Sequence, residues 1–243
     1  MNDENYKIHK EEKLNNVTTS KNEFKSNSDK ISLFLKEVLN FKNLFVNFKE
    51  MKVYFYISTL LFVVGIITGF NSETVEQFIQ QSIQGLEEKA RDIQASDNPH
   101  VTAFIIIFTN NVKVSLIAIY SGFFFSLFPV FLLLTNGMAI GYLFKLIPQS
   151  GSEFGMFELF LRGILPHGIF EIPAILIASA YGIKFGVLIM KWLIQSGNND
   201  LRAKNKIEFI AFMKLLVTLV IFTVATLMLA AIIESTITPI LLS

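Results

Sequence analysis

The chain has 243 residues, of which 52% are hydrophobic and 25 are phenylalanine, and such a composition, gathered in long apolar runs, is typical of an integral membrane protein. Its 21 basic and 20 acidic residues nearly cancel, so the net charge favours neither a nucleic acid nor an acidic substrate as a partner. The absence of cysteine excludes disulfide bonds, a thiolate nucleophile and a zinc site with cysteine ligands.

The N-terminal region is polar and rich in lysine as far as residue 52, so the first apolar run is expected to be a retained anchor and not a cleaved signal peptide. Residues 1–30 are predicted to form a disordered cytoplasmic tail because they contain few large apolar side chains. Residues 31–52 are predicted to form an amphipathic interfacial helix, and an extension of the first span into the cytoplasm is the alternative. The polar stripe of this helix comprises Lys36, Asn40, Asn43, Asn47 and Glu50.

Five apolar segments predict an all-α, polytopic bundle of five transmembrane helices over residues 53–243. Each segment is long enough, or nearly so, to cross about 30 Å of hydrocarbon at about 1.5 Å per residue. The segments are Val53–Phe70, Val101–Tyr120, Phe123–Ile147, Ile169–Met190 and Leu215–Ile233.

The distribution of lysine and arginine predicts the orientation of this bundle. Basic residues cluster before the first span and in the 191–214 connection, and the positive-inside rule makes both regions cytoplasmic. The 71–99 and 148–166 loops carry more carboxylates than cations and are predicted to face outward. The N-terminus is therefore predicted to be cytoplasmic and the C-terminus to lie outside the cell membrane.

The loop between the first two spans is predicted to contain a surface helix over residues 73–94. Its apolar side chains recur at helical spacing, and the stripe either docks a partner or rests on the protein's own surface or on lipid headgroups. Residues 153–161 are similarly amphipathic. The stripe comprises Val75, Ile79, Ile83, Leu86, Ala90 and Ile93.

Three asparagines fall inside the second and third spans: Asn110, Asn111 and Asn136. They would lie at similar depth if these two helices formed a tight hairpin. Unpaired amides in hydrocarbon are costly, so one interpretation is a set of interhelical hydrogen bonds among them. The other interpretation is a polar path or a substrate contact.

A second polar group is predicted at the outer ends of the helices. His167 and Glu171 are one helical turn apart, Glu234 ends the fifth span, and His100 opens the second. Two ligands on one helix do not make a metal site, and no catalytic or cofactor-binding motif occurs, so we expect no enzyme activity, no metal and no cofactor. The cluster is predicted to be a structural polar cap or a contact for a ligand.

Small residues recur every four positions in three spans, which favours close helix packing. Homodimer formation through one such face is a further possibility that the spacing leaves open. The residues are Gly65, Gly69, Gly137, Gly141, Ala178, Gly182 and Gly186.

Several motifs in order, ILPHGIFEIPA with AYGIKFG, NNVKVSL, LLLTNGMAIGYLF and IESTITP, resemble the stage II sporulation protein M family over about residues 50–240. The resemblance implies a non-catalytic membrane scaffold or accessory protein of the bacterial cell envelope, as in sporulation, where wall hydrolases would be its partners. The alternative implied by other relatives is a permease-like accessory subunit for export of, or immunity to, a circular bacteriocin, working with a separate transport ATPase. The family's recurrent polar and small residues fall on Asn111, Asn136, Gly137, Pro166, His167, Gly168, Glu171 and Glu234.

Overall fold

A computed structural model describes residues 39–72, 84–85, 88–146 and 160–242, with the isolated positions 32, 36 and 158. The predicted tail over 1–30, most of the predicted stripe in the 73–94 helix and most of 153–161 lie outside the described residues. The helices are α1 (Phe41–Glu50), α2 (Lys52–Asn71), α3 (Pro99–Tyr120), α4 (Leu127–Leu146), α5 (Leu165–Ile194) and α6 (Asn199–Leu242).

The described residues contain no strand, and five helices are long and apolar enough to cross a membrane. The predicted all-α, five-span architecture is therefore confirmed. Residues 88–95 are also helical and precede α3, a 3₁₀ turn over Ser121–Phe123 follows α3, and a π-helical turn over Phe160–Ile164 leads into α5.

Asparagine side chains mark the start of three helices. The Asn40 side chain accepts a hydrogen bond from the backbone N–H of Asn43 at 3.0 Å, and Asn98 caps α3 in the same way, with Pro99 as the first helical residue. Asn198 accepts from the backbone N–H of Asp200 at 3.0 Å. Each cap satisfies an N–H that has no partner within its helix.

The α6 helix is much longer than the predicted fifth span. It has 44 residues, which at about 1.5 Å per residue correspond to about 66 Å. Its first part is charged and follows directly from the Asn198 cap, and no glycine or proline interrupts the helix before Pro239. The Asn205 amide donates back to the Gln195 side chain of the preceding turn at 2.8 Å. The end of α5 and the start of α6 thus form a helical hairpin.

The α1 helix lies against the bundle and does not continue α2 into water. A turn at Met51 separates the two helices, and the Phe48 ring packs 6.0 Å from the ring of Phe222 in α6. Leu44 and Met51 are fully buried, whereas Phe45 is 53% exposed. We call the end of the bundle that carries α1, the 121–126 turn and the α5–α6 hairpin the basic end.

The helices pack in two ways. α2 and α4 meet at glycines: a Cβ at Gly137 or Gly141 would collide with the α2 backbone at Phe62 or Ile66, respectively. The α3, α5 and α6 helices meet through larger buried side chains, including Tyr181 and Leu219. The close packing predicted from four-residue small spacing is therefore found between α2 and α4, and also at Gly182 of α5, where a Cβ would collide with the carbonyl of Ala118 in α3.

The turn between α3 and α4 is held against α5. A Cβ at Gly122 would collide with the backbone of Gly182, and the Ser126 hydroxyl donates to the carbonyl of Ile183 at 2.9 Å. Phe125 and Ser126 have φ values of 54° and 65°, in the left-handed region that favours glycine. The turn therefore fixes the relative level of α3 and α5.

Candidate functional site

The centre of the candidate site is a contact between α3 and α5. Both helices run toward the basic end, and the close approach of Gly122 to Gly182 keeps them in register. As a result, Asn111 of α3 lies within hydrogen-bonding reach of Glu171 of α5, and its amide donates to that carboxylate. An acceptor for the amide lowers the cost of placing both polar groups inside a bundle.

Asn110 extends this contact outward to the segment before α3. The Lys89 ammonium donates to Asn110 Oδ1 at 3.0 Å, and the Asn110 amide donates to Asn111 Oδ1 at a longer 3.4 Å. These bonds form a polar network in which each residue donates to the next one, in the order Lys89, Asn110, Asn111 and Glu171. Because Lys89 reaches the middle of α3, residues 88–95 run back alongside that helix.

Asn136 of α4 faces a small cavity shared with Glu171. Its amide donates to the carbonyl of Leu132 on its own helix at 2.8 Å. The cavity has a volume of about 180 Å³ and a mostly apolar lining that includes Phe62 and Ile140. Among the described residues, Asn136 forms no hydrogen bond with Asn110 or Asn111, so the expected pairing across a hairpin of the second and third spans is wrong. The α4 helix packs mainly on α2, and it is α5 that meets α3 at this level.

Glu234 and His100 tie α6 to the same region. Glu234 is close enough to Glu171 for the two carboxylates to repel each other. His100 Nδ1 lies 2.6 Å from the backbone oxygen of Ser235, and because a carbonyl only accepts, this nitrogen carries the proton. The side chain of His167 lies outside the described part of the structure.

The described residues hold no group of three or more histidine, aspartate, glutamate or cysteine side chains that could bind a metal. Asn111 and Asn136 face Glu171 from two helices. The arrangement can fix helices relative to each other and can hold the 88–95 segment against α3.

A second polar group, at the basic end, was missed by sequence reasoning. The Tyr181 hydroxyl donates to Asn47 Oδ1 at 2.8 Å, and the Asn47 amide donates to Glu50 at 2.8 Å. These α1 residues face Lys184 and Glu208 across a cleft of about 350 Å³, which we call the Asn47 cleft. The polar stripe of α1 was visible in the sequence. The sequence did not indicate that part of this stripe faces other helices.

Comparisons with known protein families and proteins find relatives of this chain. A family model described as stage II sporulation protein M matches residues 58–239. One similar protein is the uncharacterized protein MJ0706 of Methanocaldococcus jannaschii, 24% identical over 84% of this chain and 90% of its own length. Another is the uncharacterized protein MJ0793 of the same organism, 28% identical over 78% of this chain and 96% of its own length. No solved structure matches the chain.

Proposed function

Because the chain belongs to the stage II sporulation protein M family, we propose that it is a non-catalytic membrane accessory protein that holds a protein of the cell envelope in position. In this proposal the five-span bundle is a rigid base, and the 88–95 segment is the part that a partner contacts. A wall hydrolase or another envelope protein on the outer side is the expected partner.

The polar network is the observation that supports this proposal. It commits the intramembrane amides and Glu171 to bonds within the protein, and its outermost member, Lys89, fixes the 88–95 segment to α3. The cavity beside Glu171 is about 180 Å³, whereas small-molecule sites have volumes of about 300–1,000 Å³. The geometry thus favours positioning over the passage of a peptide.

Site-specific photo-crosslinking in native membranes tests the scaffold proposal. A photoreactive residue replaces Asp92, which is exposed in the 88–95 segment, and the control replaces Leu229, which is 53% exposed on a membrane-spanning helix. We expect a crosslinked envelope protein, identified by mass spectrometry, at position 92 only. Introducing Lys89→Ala should reduce that product, because the segment loses its bond to Asn110. Identical products at both positions would contradict the proposal.

The second candidate function is a permease-like accessory subunit that works with a separate transport ATPase. The α5–α6 hairpin favours it, because this hairpin extends the basic end and carries Arg202, Lys204 and Lys206 on exposed positions. A photoreactive residue at Asp200 should then crosslink an ATPase, and deletion of the gene should change export of, or immunity to, a peptide bacteriocin. An unchanged phenotype without an ATPase crosslink would remove this candidate.

Both candidates need the basic end in the cytoplasm and the C-terminus outside, which the positive-inside rule supports. The cysteine-free chain permits a clean labelling test with Asp97→Cys and Gly197→Cys. Asp97 is exposed, and a side chain at Gly197 meets nothing within 4 Å. A membrane-impermeant maleimide should label position 97 in intact cells and position 197 only after lysis. The reverse result would invert the topology.

A further inference from the structure

The basic end contains a second, more apolar cleft, which we call the Trp192 cleft. It has a volume of about 480 Å³ and lies between the end of α5, the start of α6 and the 121–126 turn. Phe123, Ile189 and Phe209 supply apolar walls, Trp192 stands beside them, and Arg202 and Lys206 complete the lining. No residue of the polar network or of the Asn47 cleft takes part in it.

The surfaces around the Trp192 cleft place it at the boundary between acyl chains and headgroups. Phe124 and Leu127 beside it are 63% and 72% exposed, and Ile194 and Ile207 are 80% and 71% exposed. Apolar surface of this extent in a membrane protein is covered by lipid. Tryptophan is enriched at the membrane interface, and long cationic side chains extend from apolar surface to the headgroups.

The two cations of the cleft share one face of α6. Arg202 and Lys206 are four residues apart, which places them one above the other on a helix. Neither side chain is paired with a carboxylate anywhere in the described ranges. Glu208 is the next acidic residue after them in the sequence. It lies two residues from Lys206 and therefore on another face of α6, where it meets Lys191 at 3.8 Å and interacts with Lys184.

We propose that the Trp192 cleft binds an anionic phospholipid of the leaflet at the basic end. The phosphate lies between Arg202 and Lys206, and an acyl chain lies on Ile189 and Phe209. Charge complementarity selects an anionic headgroup, because the two cations repel the ammonium of a zwitterionic lipid. The apolar walls select a lipid over a free anion, because a free phosphate would leave them exposed.

The chain contains its own reporter for this site, since Trp192 is its single tryptophan. Full-length protein is reconstituted in phosphatidylcholine vesicles that contain either brominated phosphatidylglycerol or brominated phosphatidylcholine at equal mole fraction. Bromine quenches tryptophan on contact. Two juxtamembrane cations predict an apparent affinity for the anionic lipid roughly thirtyfold higher than for the zwitterionic one.

Three variants separate a site from general surface charge. Arg202→Gln/Lys206→Gln should abolish the preference, and Lys206→Gln should lower it severalfold. Lys204→Gln, which removes an exposed cation two residues away on another face of α6, should leave it unchanged. All three positions of charge loss carry exposed side chains, and circular dichroism verifies that each variant keeps its helix content.

Equal quenching by the two lipids, or a preference that survives in the double variant, would overturn the proposal. Quenching by neither lipid would also overturn it, because the cleft would then be filled by protein, such as an acidic amphipathic helix of a partner. An equal loss in Lys204→Gln and Lys206→Gln would show diffuse attraction to the whole hairpin and no site.

Discussion

The α2–α4 pair and the α3–α5–α6 group associate in the membrane in different ways, although both contain a point where glycine lets two backbones touch. In the α2–α4 pair, glycine removes side chains so that backbones touch at Gly65, Gly137 and Gly141. In the α3–α5–α6 group, the backbones of α3 and α5 touch at Gly182, but elsewhere large buried side chains such as Tyr181 fill the space, and polar bonds such as that from Asn111 to Glu171 add specificity. Lipid gives no hydrophobic drive between helices, so packing and hydrogen bonds must supply it.

The difference predicts how each region responds to mutation. Backbone contact is intolerant of any added atom, since neither backbone can move without shifting a whole helix. Side-chain contact and hydrogen bonds fail more gradually, because neighbours can repack or find other partners. The expected losses therefore decrease from the glycine contacts to the polar network, then to α1 and finally to the exposed ion pairs of the basic end.

The largest loss is expected for Gly141→Val. A Cβ at this position collides with the backbone of Ile66, so the variant should lose about 3 kcal/mol or more of folding free energy. The control is Gly197→Val, whose side chain enters open space and should change stability by less than about 0.5 kcal/mol. Thermal unfolding in detergent measures both. A wild-type unfolding midpoint for Gly141→Val would show that α2 and α4 do not touch through their backbones.

The polar network should show an intermediate loss when Glu171 is replaced. Glu171→Leu leaves the Asn111 amide without an acceptor, which costs about 1–3 kcal/mol, whereas Glu171→Gln keeps a carbonyl acceptor and should be milder. The double variant Asn111→Leu/Glu171→Leu removes both partners and should lose less than the sum of the two single variants. Equal losses in the Gln and Leu variants would mean that the charge itself matters.

Sequence reasoning predicted the features that depend on local pattern. The lengths of Val53–Phe70 and Val101–Tyr120 nearly match α2 and α3, and four-residue glycine spacing indicated close helix packing without naming the helix pairs, because both features follow from helix periodicity. The partner of each polar residue was not predictable in the same way. Asn111 was expected to meet Asn136 across a hairpin, but it meets Glu171, and that choice depends on which helices are neighbours in space.

Two other features depended on three-dimensional placement. Lys89 lies 21 positions from Asn110, and only the reversal of the chain at residues 96–98 brings them to 3.0 Å. The α6 helix extends far before Leu215, because packing on α5 supports a charged segment that hydropathy alone does not assign to a span. The proposed roles of Asn110, Asn136 and Glu234 as functional residues stay predictions.

The docking of α1 should show a smaller loss in Tyr181→Phe. This change removes the hydroxyl that donates to Asn47 at 2.8 Å but keeps the ring, which stacks on Phe212 at 6.0 Å. One such hydrogen bond contributes about 1 kcal/mol. Tyr56→Phe, at a position 75% exposed, is the control and should have no effect.

Labelling of a buried cysteine reports this docking directly. Leu44 is fully buried against the bundle, so a maleimide should react slowly with Leu44→Cys. Adding Tyr181→Phe should increase that rate about fivefold, which is the factor that about 1 kcal/mol gives when opening precedes reaction. An unchanged rate would mean that the aromatic contacts of Phe48 alone hold α1.

The smallest effect is expected for the ion pair of the α5–α6 hairpin. Lys191 and Glu208 are 3.8 Å apart, and their side chains are 44% and 39% exposed, so solvent screens their attraction and Lys191→Gln should cost less than about 0.5 kcal/mol. The matched comparison is Asn205→Ala, which breaks a buried hydrogen bond to Gln195 in the same hairpin. This variant should lose more folding free energy, about 1 kcal/mol. Thermal unfolding should rank them in this order. A larger loss for Lys191→Gln would mean that the hairpin is held by charge, so that the basic end, unlike the rest of the bundle, would loosen as salt concentration rises.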